Sequence, residues 1–323
     1  MIYIRRICSL ILTLMMITLF GCNAIPVEKI DVKEGFSVNI LDVGEGDCFF
    51  IHLPDGKNLL IDTGAKSEKN LKLINSYIGA YGKQLHYMIF TYPHINHSGN
   101  GESVIKKYDI STIYKPLIFD DKIDYFPFFN EINKVIKKST EVIITEMGQF
   151  IKGDNYVVAF LSPYPMDMEG SSYEGINGGV IPDERKAKDV SAVVYVEIDG
   201  VRFLFTGDIS ARIERQIVSD YKSGLYNVLF NKKGINIDLR KIDFLKISNH
   251  GDENSCCNEL LMLTEPKTAI ISVGGDNFKG HPSSAVLERL NENGCSRVLR
   301  TDVYGNITIY KENKLLKIDT DVN

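Results

Sequence analysis

The sequence predicts an α+β fold in which mixed sheets are covered by helices. Three observations carry this reading. Short apolar runs of strand character alternate with longer amphipathic stretches. Hairpin turns interrupt the alternation in both halves, at Pro54-Asp55-Gly56 and at Asp199-Gly200. A hydrophobic content of 44% beside 24% charged residues describes a chain with a large core, not a disordered one.

The elements follow in order. Ser37–Val43 reads as a strand that ends in the tight turn Gly44-Glu45-Gly46-Asp47. Cys48–Leu53 and Lys57–Asp62 pair across Pro54-Asp55-Gly56, and Thr63-Gly64 opens the way to a helix near Glu68–Ala80. Leu85–Phe90 is a buried strand leading into a loop of residues 91–100. Glu102–Tyr108 and Phe128–Lys138 read as helices, and Ile113–Tyr114, Glu141–Thr145 and Asn155–Leu161 as strands. Residues 163–189 are rich in Pro, Gly, Ser and acids and lack apolar periodicity; a loop of that length is either functional or disordered. Ser191–Ile198 and Val201–Phe205 form a hairpin ending in Thr206-Gly207-Asp208, before a helix over Ile209–Ser223. Leu225–Leu239 is less regular. Ile242–Ser248 is a strand ending in Asn249-His250-Gly251-Asp252, and Ala269–Val273 is another. After the turn Gly280-His281-Pro282-Ser283 come a helix at Ser284–Asn293, a strand at Arg297–Arg300 and a closing hairpin of Asn306–Lys311 with Leu315–Ile318.

The first 22 residues read as a targeting segment. Arg5 and Arg6 precede the uncharged run Cys8–Phe20, which is shorter than the ~20 residues of a membrane span and fits a secretory signal peptide. An uncleaved anchor is the alternative. Leu19-Phe20-Gly21-Cys22 resembles the lipobox of bacterial lipoproteins, which implies acylation at Cys22, membrane attachment through that lipid and an extracytoplasmic location. Residues 23–36 read as a tether. Loss of residues 1–22 removes two arginines and no acid, so the formal charge of −5 becomes −7. Such a balance disfavours DNA as a partner over a broad face, though a local basic groove is compatible with it. Four cysteines remain after Cys22, too few for a disulfide scaffold, and they read as packing residues.

Metal-type residues stand at three strand ends: His94 and His97, then Asp208, then His250. A bare His-x-x-His is weak evidence, since a polar loop with two solvated histidines explains it better. Strand ends on one sheet edge converge in space, however. Three imidazoles with one carboxylate suit a divalent ion, zinc or manganese first.

With these pieces assembled, the chain resembles the metallo-β-lactamase fold, and within it the hydrolase domain of ComEC-type DNA-internalisation competence proteins and their free-standing relatives. The matching segments are Leu41–Asp47, Leu60–Gly64, the loop Thr91–Gly99, Phe203–Asp208, Lys246–Gly251, Gly280–Ser283 and Arg300–Gly305. The resemblance implies an αββα sandwich over residues 37–318 with its site on the shared edge of two sheets.

The resemblance also exposes departures. The family loop Thr-His-x-His-x-Asp-His-x-Gly has Tyr92 in place of its first His and Asn96 in place of its Asp; Asn249-His250 stands for a His-His pair. Which of Asn249 and His250 faces a metal stays open. Each of the family's two metal positions has therefore lost a ligand. The implied site is a single-ion one at His94, His97, Asp208 and His250, with Asp208, His94 and His97 serving catalysis. Asp62 is expected to support the loop by hydrogen bonding or to cap a turn, and His281 to sit at the rim. Two functions compete: an anchored hydrolase of a phosphodiester or related ester, and a metal-free pseudoenzyme that binds a partner. A DNA-uptake accessory role rests on the resemblance alone.

Overall fold

The computed structural model describes residues 30–116, 127–164 and 188–322. The expected signal peptide, most of the tether and most of the loop at 163–189 lie outside the described residues. Among those described, no helix is long and apolar enough to cross a membrane.

The first half builds β1 (Ser37–Ile40), β2 (Phe49–His52), β3 (Asn58–Ile61), α1 (Glu68–Ala80), β4 (Gln84–Ile89), the single turn α2 (Ile95–Ser98), α3 (Gly101–Lys107), β5 (Asp109–Lys115), α4 (Pro127–Val135) and β6 (Glu141–Ile144). The second adds β7 (Phe150–Lys152), β8 (Tyr156–Ser162), β9 (Val193–Ile198), β10 (Val201–Phe205), α5 (Ala211–Ser223), α6 (Leu225–Phe230), β11 (Phe244–Lys246), α7 (Asn258–Thr264), β12 (Thr268–Ile271), α8 (Ser284–Glu292), β13 (Arg297–Arg300), α9 (Thr301–Tyr304), β14 (Ile307–Glu312) and β15 (Leu315–Thr320).

The strands form two mixed sheets. One has the order β15-β14-β1-β2-β3-β4-β5-β6 and the other β13-β12-β11-β10-β9-β8-β7. In each, an antiparallel half continues into a parallel half, β3 to β6 in the first and β10 to β13 in the second. Strands at the join are buried on both faces, which is why they read as unbroken apolar runs. The sheets face each other through one core that takes Phe49, Ile61 and Ile89 from the first and Phe203, Phe205 and Phe244 from the second. Phe49 and Phe205 meet across it with ring centroids 4.8 Å apart. A separate core lies between the outer face of the second sheet and the helices, through Ile213 and Ile217 of α5, Leu260 of α7 and Val286 of α8. The architecture is the expected αββα sandwich.

Several details differ from the sequence reading. The short strand at Ile113–Tyr114 extends over all of β5, because Ile110 and Thr112 alternate with exposed Asp109 and Ser111 in a period of two. Within Leu225–Leu239 the first six residues form α6, started by Gly224 at φ +79°, and Ile235, Ile237 and Leu239 are then buried without helical structure. Helix α7 and strand β7 have no counterpart in the sequence reading; both are short and their apolar residues lack a clean period. All four described cysteines are buried free thiols.

A candidate metal centre at the shared sheet edge

Parallel strands deliver the site. Their carboxyl ends gather on one edge, the usual place for ligands in sheets of this kind. Asp62 follows β3, the loop with His94 and His97 follows β4, Asp208 follows β10, and Lys246 ends β11 just before His250. The turn Gly44-Glu45-Gly46-Asp47 presses on the loop: Asp47 N–H donates to the Asn96 carbonyl at 3.3 Å. A Cβ on Gly46 would stand 2.3 Å from that same oxygen, so only glycine fits.

His97 is the centre of the cluster. It is fully buried, and its Nδ1 lies 2.9 Å from Asp62 Oδ2 while its Nε2 lies 3.3 Å from Asp208 Oδ2. Asp62 is fixed in turn by the Thr91 N–H at 2.8 Å and by the Thr91 hydroxyl. Asp62 therefore orients the imidazole through Nδ1 and leaves Nε2 aimed at Asp208. His250 is held in the same manner. Its Nδ1–H donates to the Ser272 carbonyl at 2.8 Å, and its Nε2 lies 3.4 Å from Asp208 Oδ1. A proton held at Nδ1 by a carbonyl makes Nε2 the lone-pair nitrogen, the form that binds a metal.

The segment carrying His250 is strained. Asn249 and His250 take φ of 47° and 56°, the left-handed region that non-glycine residues avoid. Asn249 N–H donates to the Gly207 carbonyl at 3.1 Å, which ties this turn to the one bearing Asp208. The open choice between the two residues is resolved by this geometry. His250 points into the cluster, whereas Asn249 is half-buried at its mouth and accepts from Lys188 Nζ at 2.9 Å.

His94 lies outside the ligand groups. It caps α2, its Nδ1 is bonded to Asn96 Oδ1, and the Tyr92 ring stacks on its imidazole at 5.7 Å. Asn96 bridges inward, with Nδ2 3.0 Å from His250 Nε2. Tyr92 is fully buried, edge-on to His97 at 5.6 Å. His281 sits at the rim, Nδ1 3.5 Å from Glu45 Oε1 and Nε2 3.6 Å from Asp252 Oδ2. Asn277 shapes its turn by accepting from the His281 N–H at 2.8 Å.

Charge dominates the interior. Burial alone would lower the His97 imidazole, but the Asp208 and Asp62 carboxylates override it and raise the ring to about 10. Its two partners move in opposite directions. Burial pushes Asp62 up despite His97, with nearby Asp47 adding to the rise. Asp208 also suffers burial, yet His97, His250 and Lys246 together drive it well below the carboxylate range. Burial holds His250 low against the pull of Asp208, so that ring is neutral at neutral pH.

A family model described as the metallo-beta-lactamase superfamily matches residues 41–275. The chain belongs to that superfamily. It is 28% identical over 296 residues to ComE operon protein 3 of Bacillus subtilis (strain 168), covering 86% of this chain and 33% of that protein. It is 22% identical over 272 residues to competence protein ComA of Neisseria gonorrhoeae, covering 83% of this chain and 31% of that one. The chain thus spans about a third of the length of these relatives. A similar solved structure is that of CmlA, a diiron β-hydroxylase from Streptomyces venezuelae, with a TM-score of 0.50 at 10% identity, over 87% of this chain and 55% of that one. At that identity the likeness concerns the fold.

The residues present fit a divalent ion on one side of the cluster. His97, Asp208 and His250 offer ligand atoms within 4.8 Å of one another. His97 Nε2 and Asp208 Oδ1 are buried without a hydrogen-bond partner, as ligand atoms are when an ion is their intended partner. Three protein ligands suffice for a catalytic ion with open positions.

Two buried charges were not anticipated. Lys246 is completely enclosed, with Nζ 2.6 Å from Asp47 Oδ2. The signal was a lone lysine inside the apolar run Phe244-Leu245-Lys246-Ile247. Glu214, on the buried face of α5, accepts from Ser248 Oγ at 2.7 Å, Cys256 N at 2.8 Å and Cys257 N at 2.6 Å. It anchors the segment that carries His250. Its signal was an acid beside Ile213 on the apolar face of a helix.

Proposed function

We propose that the chain is a metal-dependent hydrolase carrying one zinc or manganese ion and acting on a phosphodiester or related ester. The observation that carries this reading is the convergence of His97, Asp208 and His250, with His97 Nε2 and Asp208 Oδ1 buried and without a hydrogen-bond partner. A divalent ion there supplies Lewis-acid polarisation of the substrate's oxygen and lowers the pKa of water to about 7. The protein's own residues do the rest. Asp62 and the Ser272 carbonyl fix the two imidazoles, so no reorganisation is needed when charge develops. Lys188, half-buried at the mouth, presents a cation to an anionic substrate. Asn96 offers no carboxylate to accept a proton from the attacking water, which predicts slow turnover.

The hydrolase is placed outside the cytoplasmic membrane, anchored by a lipid on Cys22; unchanged processing and membrane association in Cys22→Ala would refute the anchor. The names of the relatives bring competence into view, and with it DNA. The formal charge of −5 argues against a broad nucleic-acid face, and salt-sensitive DNA binding would reverse that judgement. A metal-free binding protein is the second reading, favoured by the Asn96 amide 3.0 Å from His250 Nε2.

Metal content decides between them. The chain purified without chelator should carry about one zinc or manganese, lost in His97→Ala and His250→Ala, and Asp208→Ala should abolish turnover of a model phosphodiester. A chain that neither carries nor takes up a divalent ion overturns the hydrolase and leaves the binding protein.

A further inference from the structure

Residues 188–192, which lead into β9, are tied to all three segments that carry His97, Asp208 and His250. Lys188 Nζ donates to Asn249 Oδ1 at 2.9 Å, next to His250 in the chain. Asp189 is 7% exposed and accepts from the Ser210 hydroxyl, and from Arg212 Nε at 3.1 Å and Nη2 at 2.9 Å, just after Asp208. Ala192 N–H donates to the Thr91 carbonyl at 2.9 Å, at the head of the loop bearing His97. Ser191 N–H closes a turn on the Lys188 carbonyl at 2.9 Å, which fixes Lys188 relative to Asp189.

Both oxygens of Asp189 are held, one by a hydroxyl and the other by the guanidinium of Arg212; bonds to a charged partner are the strong ones. Lys188, its neighbour, is in a different state from the other cations around the centre. Lys246 Nζ lies 2.6 Å from Asp47, Arg212 Nη2 2.9 Å from Asp189 and Lys279 Nζ 3.2 Å from Glu45. Lys188 is bonded to an amide oxygen, so its partner there does not offset its charge. An ammonium has three donors, and the bond to Asn249 uses one. Ordering a free lysine chain opposes binding, but here the Asn249 bond and the turn at 188–191 have ordered it beforehand. Asn249 suits the role, since asparagine tolerates the left-handed φ of 47° found there.

We propose that Asp189 is a positioning residue for substrate binding: clamped by Ser210 and Arg212, it holds Lys188 at the mouth, where the ammonium bonds an anionic oxygen of the substrate. This rests on the reading that the site takes an anionic ester, and adds that the grip on the anion depends on the start of α5. Asp208, Ser210 and Arg212 share one short stretch of backbone, so the carboxylate of the centre and the clamp of the substrate cation are set together. Asn249 does the same on the other side, joining Lys188 to the turn that aims His250. Asp189 reaches the substrate only through Lys188. A plain staple for the first turn of α5 would act on stability alone.

The test is a double-mutant cycle on the binding of dimethyl phosphate, a monoanionic diester too inert to turn over during the measurement. It is titrated against the full chain, with and without zinc, and its affinity is read by phosphorus NMR. Lys188→Gln should weaken binding by about tenfold, and Lys188→Arg, which keeps the charge, by much less. Asp189→Ala should weaken it by roughly fivefold in the wild-type chain and by nothing further in K188Q, because it acts through the lysine. Arg212→Gln opens the clamp with Asp189 in place and gives the same reading if Asp189→Ala disturbs the start of α5. An Asp189→Ala effect of equal size in K188Q, wild-type affinity in K188Q, or a D189A chain that loses thermal stability without losing affinity overturns the proposal. A chain that takes up no zinc yet binds the probe through Lys188 and Asp189 keeps the proposal and loses the hydrolase. A chain that takes up zinc and binds no probe loses the proposal and keeps the metal centre. No uptake of either overturns both.

Discussion

Replacing Glu214 by glutamine changes one atom's chemistry in a place where three donors depend on it. The carboxylate's Oε1 accepts from Ser248 Oγ at 2.7 Å and Cys256 N at 2.8 Å, and its Oε2 from Cys257 N at 2.6 Å. Hydrogen bonds to a charged acceptor contribute roughly 1.5–3 kcal/mol each, against about 0.5–1.5 for neutral ones. In Glu214→Gln all the bonds become neutral, and whichever way the amide is turned its NH2 faces at least one backbone N–H. That donor is left buried and unsatisfied, a further cost of about 1–3 kcal/mol. The neutral side chain recovers part of this through easier burial. The balance is a loss of about 3 kcal/mol, which in a chain of this size lowers Tm by roughly 4–5 °C. Ser248 opens the turn that presents His250, so metal affinity should fall together with stability. Thermal and urea denaturation, each with and without manganese, measure both effects. A loss below about 1 kcal/mol, or a destabilised protein with unchanged metal affinity, would refute the role given to Glu214.

Three further predictions concern the cluster itself. Asp62→Asn keeps an acceptor for the Thr91 N–H but weakens the hold on His97 Nδ1; manganese affinity should drop by about 10–100-fold, and a change under twofold would show that Asp62 does not orient the ring. The metal-free chain holds a protonated His97 between two carboxylates, raised to about 10, so its stabilisation is complete below the ordinary imidazole range and is lost as pH rises through about 10. An entering ion must displace that proton; its apparent affinity should rise about tenfold per pH unit between pH 6 and 8, and a flat titration would mean that His97 is not a ligand. Tyr92→His combined with Asn96→Asp places an imidazole and a carboxylate beside His94 and should tighten metal binding by at least tenfold if the pocket has kept its shape, whereas no gain would mean that Tyr92 stacked on His94 has reshaped it.

Much of the fold was legible because the strands at the sheet join are buried on both faces and so appear as unbroken apolar runs, Leu59–Ile61 and Phe203–Phe205 among them. The site was legible where chemistry-bearing residues stop such a run, as with Asp62 and Asp208. Helix α7 was not, because only Leu260 and Leu261 join the core between the second sheet and its helices, and no side-chain cap marks its start. Nor was the direction of Asn249 and His250. Two consecutive residues in the left-handed region reverse the side-chain alternation on which a strand reading depends, and only tertiary contacts hold them there. Lys246 and Glu214 were missed for a related reason: each is one polar residue in an apolar pattern, and its partners lie 34 residues away or more along the chain, as with Ser248 for Glu214.

Those partners converge on the backbone after β10. The Gly207 carbonyl accepts from both Lys246 Nζ at 2.7 Å and Asn249 N at 3.1 Å. A single oxygen thus holds the Lys246 ammonium and the turn that aims His250, while the next residue supplies Asp208. Gly207 itself has φ +56°, and a Cβ there would press on the Ala192 carbonyl and Ser191 at 3.3 Å. Any side chain at 207 would move that carbonyl, and with it the ammonium, the imidazole and the carboxylate together. The geometry of the cluster is therefore set less by His97, Asp208 and His250 themselves than by the glycine turn that fixes their spacing.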